Sequence, residues 1–149
     1  MEALYQEYGD RVQFFVVYIR EAHPTDGWQV RTNELEKILF EQPTSLDARS
    51  GVAEKMCTEL KLTIPTLVDK LDDKVGKAYA GWPDRLYLVD EQGKITYQGG
   101  PGPRGFLPDE LETAIRKQLK LPAAKPSERQ PRRPRREREG DTSQQPGGA

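Results

Sequence analysis

Residues 12–19 read VQFFVVYI, an almost unbroken run of β-branched and aromatic side chains. A strand that is apolar on both faces has no side to offer water, so this segment is predicted to be a parallel strand at or near the middle of a sheet. Parallel pairing requires crossover connections, and helical patterns flank the run on both sides. Before it, Leu4 and Tyr8 fall four apart with Tyr5 beside them, and Gly9 follows as a stop signal. After it, residues 20–42 form a loop excursion with a turn at 23–27 and a short helix near 33–39. Ser45 then caps a helix reaching about Leu60, with an inner stripe of Ala48, Val52, Ala53, Met56, Cys57 and Leu60.

Residues 64–69 (IPTLVD) predict a short strand, and Asp72 and Asp73 favour the start of a helix whose buried face is Val75, Ala78 and Tyr79. A hairpin follows, with strands at 85–90 and 95–98 around the turn 91–94. Glycines and prolines at 99–103 break regular structure. Pro108 opens the last helix, with acids Asp109, Glu110 and Glu112 early, bases Arg116, Lys117 and Lys120 late, and a stripe of Leu111, Ala114, Ile115 and Leu119. The order α-β-α-β-α-β-β-α predicts an α/β domain whose mostly parallel sheet is closed by an antiparallel hairpin.

That domain is expected to occupy residues 1–121. Residues 122–149 hold five of the twelve prolines and seven Lys/Arg against four acids, with only three alanines to bury, so a disordered Pro/Arg-rich tail is predicted there. The tail carries +3 and the chain −1, which leaves −4 on residues 1–121. An acidic body gives no ground for a nucleic-acid partner. The longest apolar run, residues 14–19, is far short of the ~20 residues that span a bilayer, and Met1 opens no basic-then-apolar leader. No membrane segment and a cytoplasmic location are the expectation. The single cysteine, Cys57, rules out an intrachain disulfide and any zinc site built on cysteines, and no metal is predicted.

Three motifs carry a resemblance. A strand ending in Asp69, a short helix ending in Ala-Tyr-Ala at 78–80, Pro83, and then Leu-Tyr-Leu-Val-Asp-Glu-Gln-Gly-Lys-Ile at 86–95 are similar to the second half of peroxiredoxin-type thioredoxin-like folds. More specifically, residues 17–28 (VYIREAHPTDGW), 80–87 (AGWPDRLY) and 97–103 (YQGGPGP) resemble the iodothyronine deiodinase family, in the family's order. The resemblance implies a thioredoxin-like sheet with flanking helices. It also implies an oxidoreductase in which a selenolate or thiolate takes iodine from an iodinated aromatic, a proton reaches the ring carbon, and a thiol reductant serves as cosubstrate, with no bound cofactor. The expected partners are that small aromatic substrate and the thiol.

Measured against the family, the first strand and the nucleophile that follows it have no counterpart here. Cys57 does not replace them, because it sits mid-helix among Ala53, Met56 and Leu60 rather than at a helix N-terminus where a thiolate is favoured. A selenocysteine codon read as a stop would make Met1 the next available start. Pro43 also stands where the family usually has a second histidine. The alternative is a thioredoxin-fold binding module that has lost its redox centre.

His23 is the only histidine, the side-chain type suited to proton transfer at neutral pH, and is the candidate general acid, with Glu21 beside it to orient or charge it; a turn residue before Pro24 is the plainer reading. Trp28 is the candidate aromatic platform, or a loop anchor. Arg85 is the candidate to hold a substrate carboxylate or to favour a nearby thiolate, or else an ion-pair partner of Asp69, Asp72 or Asp84. If the family's first strand is absent, the strands at 12–19 and 85–90 are expected either to face a gap or to pair directly. Cutting the chain after Leu121 is expected to leave the thermal unfolding midpoint nearly unchanged, and a loss of several degrees would show the tail docked on the body.

Overall fold

The computed structural model describes residues 1–123. The predicted tail therefore lies outside the described residues, apart from Pro122 and Ala123. The chain forms α1 (Glu2–Tyr8), β1 (Val16–Tyr18), α2 (Arg31–Glu36), α3 (Leu46–Glu59), β2 (Thr66–Val68), α4 (Lys74–Ala78), β3 (Tyr87–Val89), β4 (Ile95–Gln98) and α5 (Pro108–Gln118), a mixed α/β arrangement.

The strands do not form one sheet. β1 pairs β2 in parallel, Val17 opposite Leu67, and β3 pairs β4 antiparallel, Leu88 opposite Tyr97 with a register shift before Val89. Among the described residues no ladder joins the two pairs, so of the two outcomes expected for β1 and β3 the unpaired one is observed. Asp90 closes the hairpin by accepting the N–H groups of Gln92 and Lys94 on Oδ1, and Gly93 supplies the positive φ of the turn.

The apolar core gathers between α1, α5 and the hairpin, from Leu4, Tyr8, Phe14, Ile64, Leu86, Leu88, Leu111 and Ile115. Each such side chain contributes about 1.5–3 kcal/mol on burial, against roughly 0–1 kcal/mol for a surface pair such as Arg116 with Glu7. The core thus holds α5, and the ion pairs orient it. Glu2 ties α1 to the approach of β2, its Oε1 accepting from the Thr63 and Ile64 N–H groups and its Oε2 from the Thr63 hydroxyl.

Several sequence expectations need correction. The segment 12–19 is not buried on both faces: Phe14 is buried and Val16 half-buried, while Phe15 is 55% exposed and Val17 also faces solvent. Among the described residues β1 pairs with β2 alone, and the face carrying Phe15 and Val17 is open to solvent; because that face is apolar too, the period-two pattern was hidden. On α3, Ala48 and Leu60 are exposed, and the buried positions are Arg49 and Ala53. Val75, Ala78 and Tyr79 are exposed rather than buried, because α4 is only five residues long and approaches the body through Gly76, which abuts Ile19 and Asp69. Ser45 caps α3 as expected, accepting from the Ala48 N–H at 3.1 Å, and Pro108 opens α5. Arg116 Nε donates to the Pro122 carbonyl at 2.7 Å.

Tyr8, with no exposed surface, donates its hydroxyl to Glu112 Oε1 at 2.9 Å and accepts from Arg116 Nη1 at 2.7 Å. Burial, then the Glu112 carboxylate, push its phenol above the usual value, which keeps the donor protonated. Tyr8→Phe is expected to cost about 1–2 kcal/mol in urea unfolding, since the two charged partners lose a shared hydroxyl but still face each other at 3.6 Å. An unchanged midpoint would mean that the hydroxyl adds nothing to the packing of α1 on α5.

Candidate active site

The chain leaves the C-terminal end of β1 at Ile19, where α/β sheets place their sites, and returns at Gln42. Gln42 staples this excursion. Its Oε1 accepts from the Glu21 N–H at 3.0 Å, and its own N–H donates to Asp26 Oδ1 at 2.9 Å. Nearby, the Thr25 N–H donates to the Phe40 carbonyl at 2.7 Å.

Inside the loop, His23 Nδ1 lies 3.2 Å from the Trp28 carbonyl oxygen, and the two rings meet edge-on with centroids 4.6 Å apart. A carbonyl only accepts, so Nδ1 carries the proton in this pair and Nε2 is the nitrogen left for exchange. Gln29 Nε2 fixes the same turn through the His23 carbonyl at 3.0 Å. Trp28 itself is 70% exposed, and its backbone and ring edge position His23. Glu21 does not meet His23 in any hydrogen bond. Half-buried, its carboxyl is raised by desolvation and drawn back in part by the positive charge of Arg49.

Arg49 is the residue that sequence reasoning missed. It is 2% exposed, and its Nη1 contacts the Lys70 carbonyl and Asp73 Oδ1 at 2.8 Å each and the Asp69 carbonyl at 3.3 Å. Asp69, also buried, uses its carboxylate to accept from the N–H groups of Lys70, Val75 and Gly76. A charged residue on an otherwise apolar helical stripe was the available signal.

Arg85 lines a cavity of about 310 Å³ together with Ile19, Arg20, Lys77 and Trp82. None of the three ion-pair partners considered for Arg85 pairs with it among the described residues. Asp69 binds backbone N–H groups, Asp72 Oδ1 accepts from the Lys74 N–H, and Asp84 is turned against the 99–105 turn. A Cβ at Gly102 would lie 2.0 Å from Asp84 Oδ1, so only glycine fits against that carboxylate. Arg20 lies over the Trp82 ring at 5.5 Å, and the Tyr87 hydroxyl donates to the Tyr79 carbonyl, which fastens the end of α4 to β3 beside the cavity. A wider hollow of about 690 Å³ is lined by the turn residues Pro101 to Gly105 alone and opens to solvent. The structure therefore pairs His23 with Trp28 on the loop and sets Arg85 with Arg20 in the cavity, the two groups being joined along the chain through Arg20 and Glu21. Cys57 is half-buried on α3, its Sγ donating to Thr66 Oγ1 at 3.3 Å. Among the described residues no cluster of His, Cys, Asp and Glu is arranged to hold a metal ion, and no helix is long and apolar enough to cross a membrane.

Residues 1–119 match the family model described as iodothyronine deiodinase. Type I iodothyronine deiodinase of Xenopus laevis is 32% identical over 114 residues, 76% of this chain and 43% of that protein. Thyroxine 5-deiodinase of Sparus aurata is 37% identical over 105 residues, covering 70% of this chain and 38% of the relative. Thyroxine 5-deiodinase of Homo sapiens is 34% identical over 112 residues, covering 75% and 35%. The chain thus spans 35% to 43% of the length of these curated relatives.

Burial raises the Asp84 carboxyl above the ordinary aspartate value, and its Oδ1 has no hydrogen-bond partner among the described residues. The folded state then holds this proton more tightly than the unfolded chain, so the group favours folding most at low pH and progressively less as pH rises through its folded value. Asp84→Asn is expected to gain stability relative to the parent as pH climbs from 3 to about 7, read as the difference between their thermal midpoints. A difference independent of pH would show that Asp84 ionises as freely folded as unfolded.

Proposed function

The chain belongs to the iodothyronine deiodinase family, and from that premise we propose that it forms the substrate-handling part of a reductive deiodinase acting on an iodinated aromatic. The element order supports a thioredoxin-like, peroxiredoxin-type arrangement over residues 1–121, in which the site lies at the C-terminal end of β1.

In this reading a selenolate or thiolate supplied from outside these 149 residues attacks iodine. The carbon–iodine bond breaks toward carbon, a selenenyl or sulfenyl iodide forms, and His23 Nε2 delivers the proton that completes the carbon–hydrogen bond. Two equivalents of a thiol reductant then restore the nucleophile, releasing iodide and a disulfide. The observation that carries the proposal is the hydrogen bond of His23 Nδ1–H to the Trp28 carbonyl: it leaves Nε2 free to take up a proton from solvent, and the imidazolium so formed gives that proton to the ring carbon. Glu21 acts through the charge balance at the loop root, where the positive charge of Arg49 is felt, and Arg85 holds the acidic end of the substrate. Trp28 steadies His23 and offers ring surface to the substrate.

Cys57 favours a second reading. The only thiol of the chain is packed against Thr66 on α3, as expected of a binding module without redox chemistry. Iodide release separates the two, because a binding module takes up an iodinated aromatic without liberating iodide.

In protein supplied with its nucleophile, His23→Gln is expected to lower iodide release by about 10²–10⁴-fold with the fold intact by circular dichroism. Glu21→Gln and Arg85→Ala should weaken turnover less. Near-parental turnover of the His23 variant would reduce His23 to a turn residue.

A further inference from the structure

Charge around the cavity between β1, α4 and β3 is unbalanced. Arg20, Lys77 and Arg85 converge on it, and among the described residues none of the three forms an ion pair. Lys77 Nζ bonds only the Asp72 carbonyl at 2.7 Å, Arg20 rests on the Trp82 ring, and Arg85 Nε is buried with no hydrogen-bond partner. The one carboxylate in the wall, Asp73, is bound to Arg49 at 2.8 Å and so already neutralised. A buried guanidinium N–H without an acceptor costs free energy unless something fills the place, and a carboxylate, with two acceptor oxygens, matches a guanidinium fork. Trp82 stands at the same wall with about 40% of its surface exposed, an apolar face beside the positive charge. The volume, about 310 Å³, lies at the small end of ligand pockets and fits one ring with a short acidic chain.

We infer that this cavity recognises the acidic end of an aromatic carboxylate, with Arg20 and Lys77 joining Arg85 as residues that determine substrate charge and Trp82 as the wall for the ring. This deepens the proposed function and rests on it for the identity of the substrate class. It assigns selection to two cations, Arg20 and Lys77, that the reaction itself does not need. Neutral or amine-bearing aromatics lacking the carboxylate leave three positive charges facing one another in the cavity and are rejected.

The test is binding alone, by isothermal titration calorimetry on the full chain, so that it needs no nucleophile. The probes are a diiodinated hydroxyphenylpropionate, its primary amide, plain propionate and inorganic phosphate. The acid is expected to bind at least about tenfold more tightly than the amide, and Arg20→Gln or Lys77→Gln to remove about tenfold of acid affinity while leaving the amide unchanged. Lys77 is exposed, so its variant folds whatever becomes of Arg20, and Arg20→Lys is expected to restore part of the acid affinity. Equal binding of acid and amide, no binding of either, or indifference of the acid to both substitutions overturns the inference. So does propionate or phosphate binding as tightly as the aromatic acid, which would mark a general anion site. Selective acid binding with no iodide release from the nucleophile-bearing protein would instead overturn the deiodinase reading and leave the cavity assignment standing.

Discussion

A guanidinium taken out of water must be met by acceptors, and the way Arg49 is met organises the chemical end of this protein. Its Nη1 has two hydrogens for three oxygens, so the longer contact to the Asp69 carbonyl is a shared one. Those oxygens all lie in the connection from β2 to α4, and holding them fixes that connection against α3. Asp69 can then turn its carboxylate back onto the N–H groups of Val75 and Gly76, which sets α4 with Gly76 close to Ile19. The closeness leaves the cavity its wall. Removing one member of such a buried pair leaves the other charge stranded, typically at a cost of about 3–5 kcal/mol, whereas replacing both by well-packed apolar groups is often neutral. What the pair secures here is therefore arrangement more than stability.

The structure divides its labour between two ends. Around Tyr8, Leu111 and Ile115 the interaction is apolar burial, trimmed by the Glu112 and Arg116 contacts to the Tyr8 hydroxyl. Beyond the C-terminal end of β1 the interactions are polar and charged, from the Gln42 staple to Arg49 and the unpaired cations of the cavity. Burial at the first end is non-directional and depends on shape and area. The second end depends on individual atoms, and there the His23 tautomer and the orientation of Arg85 are decided.

How much of this was legible in the sequence varies with the range of the interaction. Ser45, Pro108 and the acids and bases of α5 act within a turn or two of the chain, and those helix limits are where local pattern put them. The hairpin was equally legible, since Asp90 and Gly93 form its turn through neighbours four residues away or fewer. The extent of β1 was not, because a ladder needs a partner, and only three residues of the apolar run find one in β2. Nor was the exposure of Phe15 and Val17, which depends on whether another layer covers that face. His23, Glu21, Trp28 and Arg85 were all named from sequence. That His23 bonds the Trp28 carbonyl while the Glu21 carboxyl is influenced by the positive charge of Arg49 was not visible there.

The sequence by itself determined the element types and their order, the apolar stripe of the last helix and the three motifs that place the chain in its family, because capping, periodicity and turn chemistry are properties of neighbouring residues. Tertiary structure alone decided which charges are paired. Arg49 reaches across 24 residues to Asp73, and the three acids nearest in sequence to Arg85's expected role turn to backbone N–H groups or to the space beside Gly102. Charge pairing is settled by distances of a few ångströms between segments remote in sequence, and sequence spacing does not contain those distances until the chain has folded.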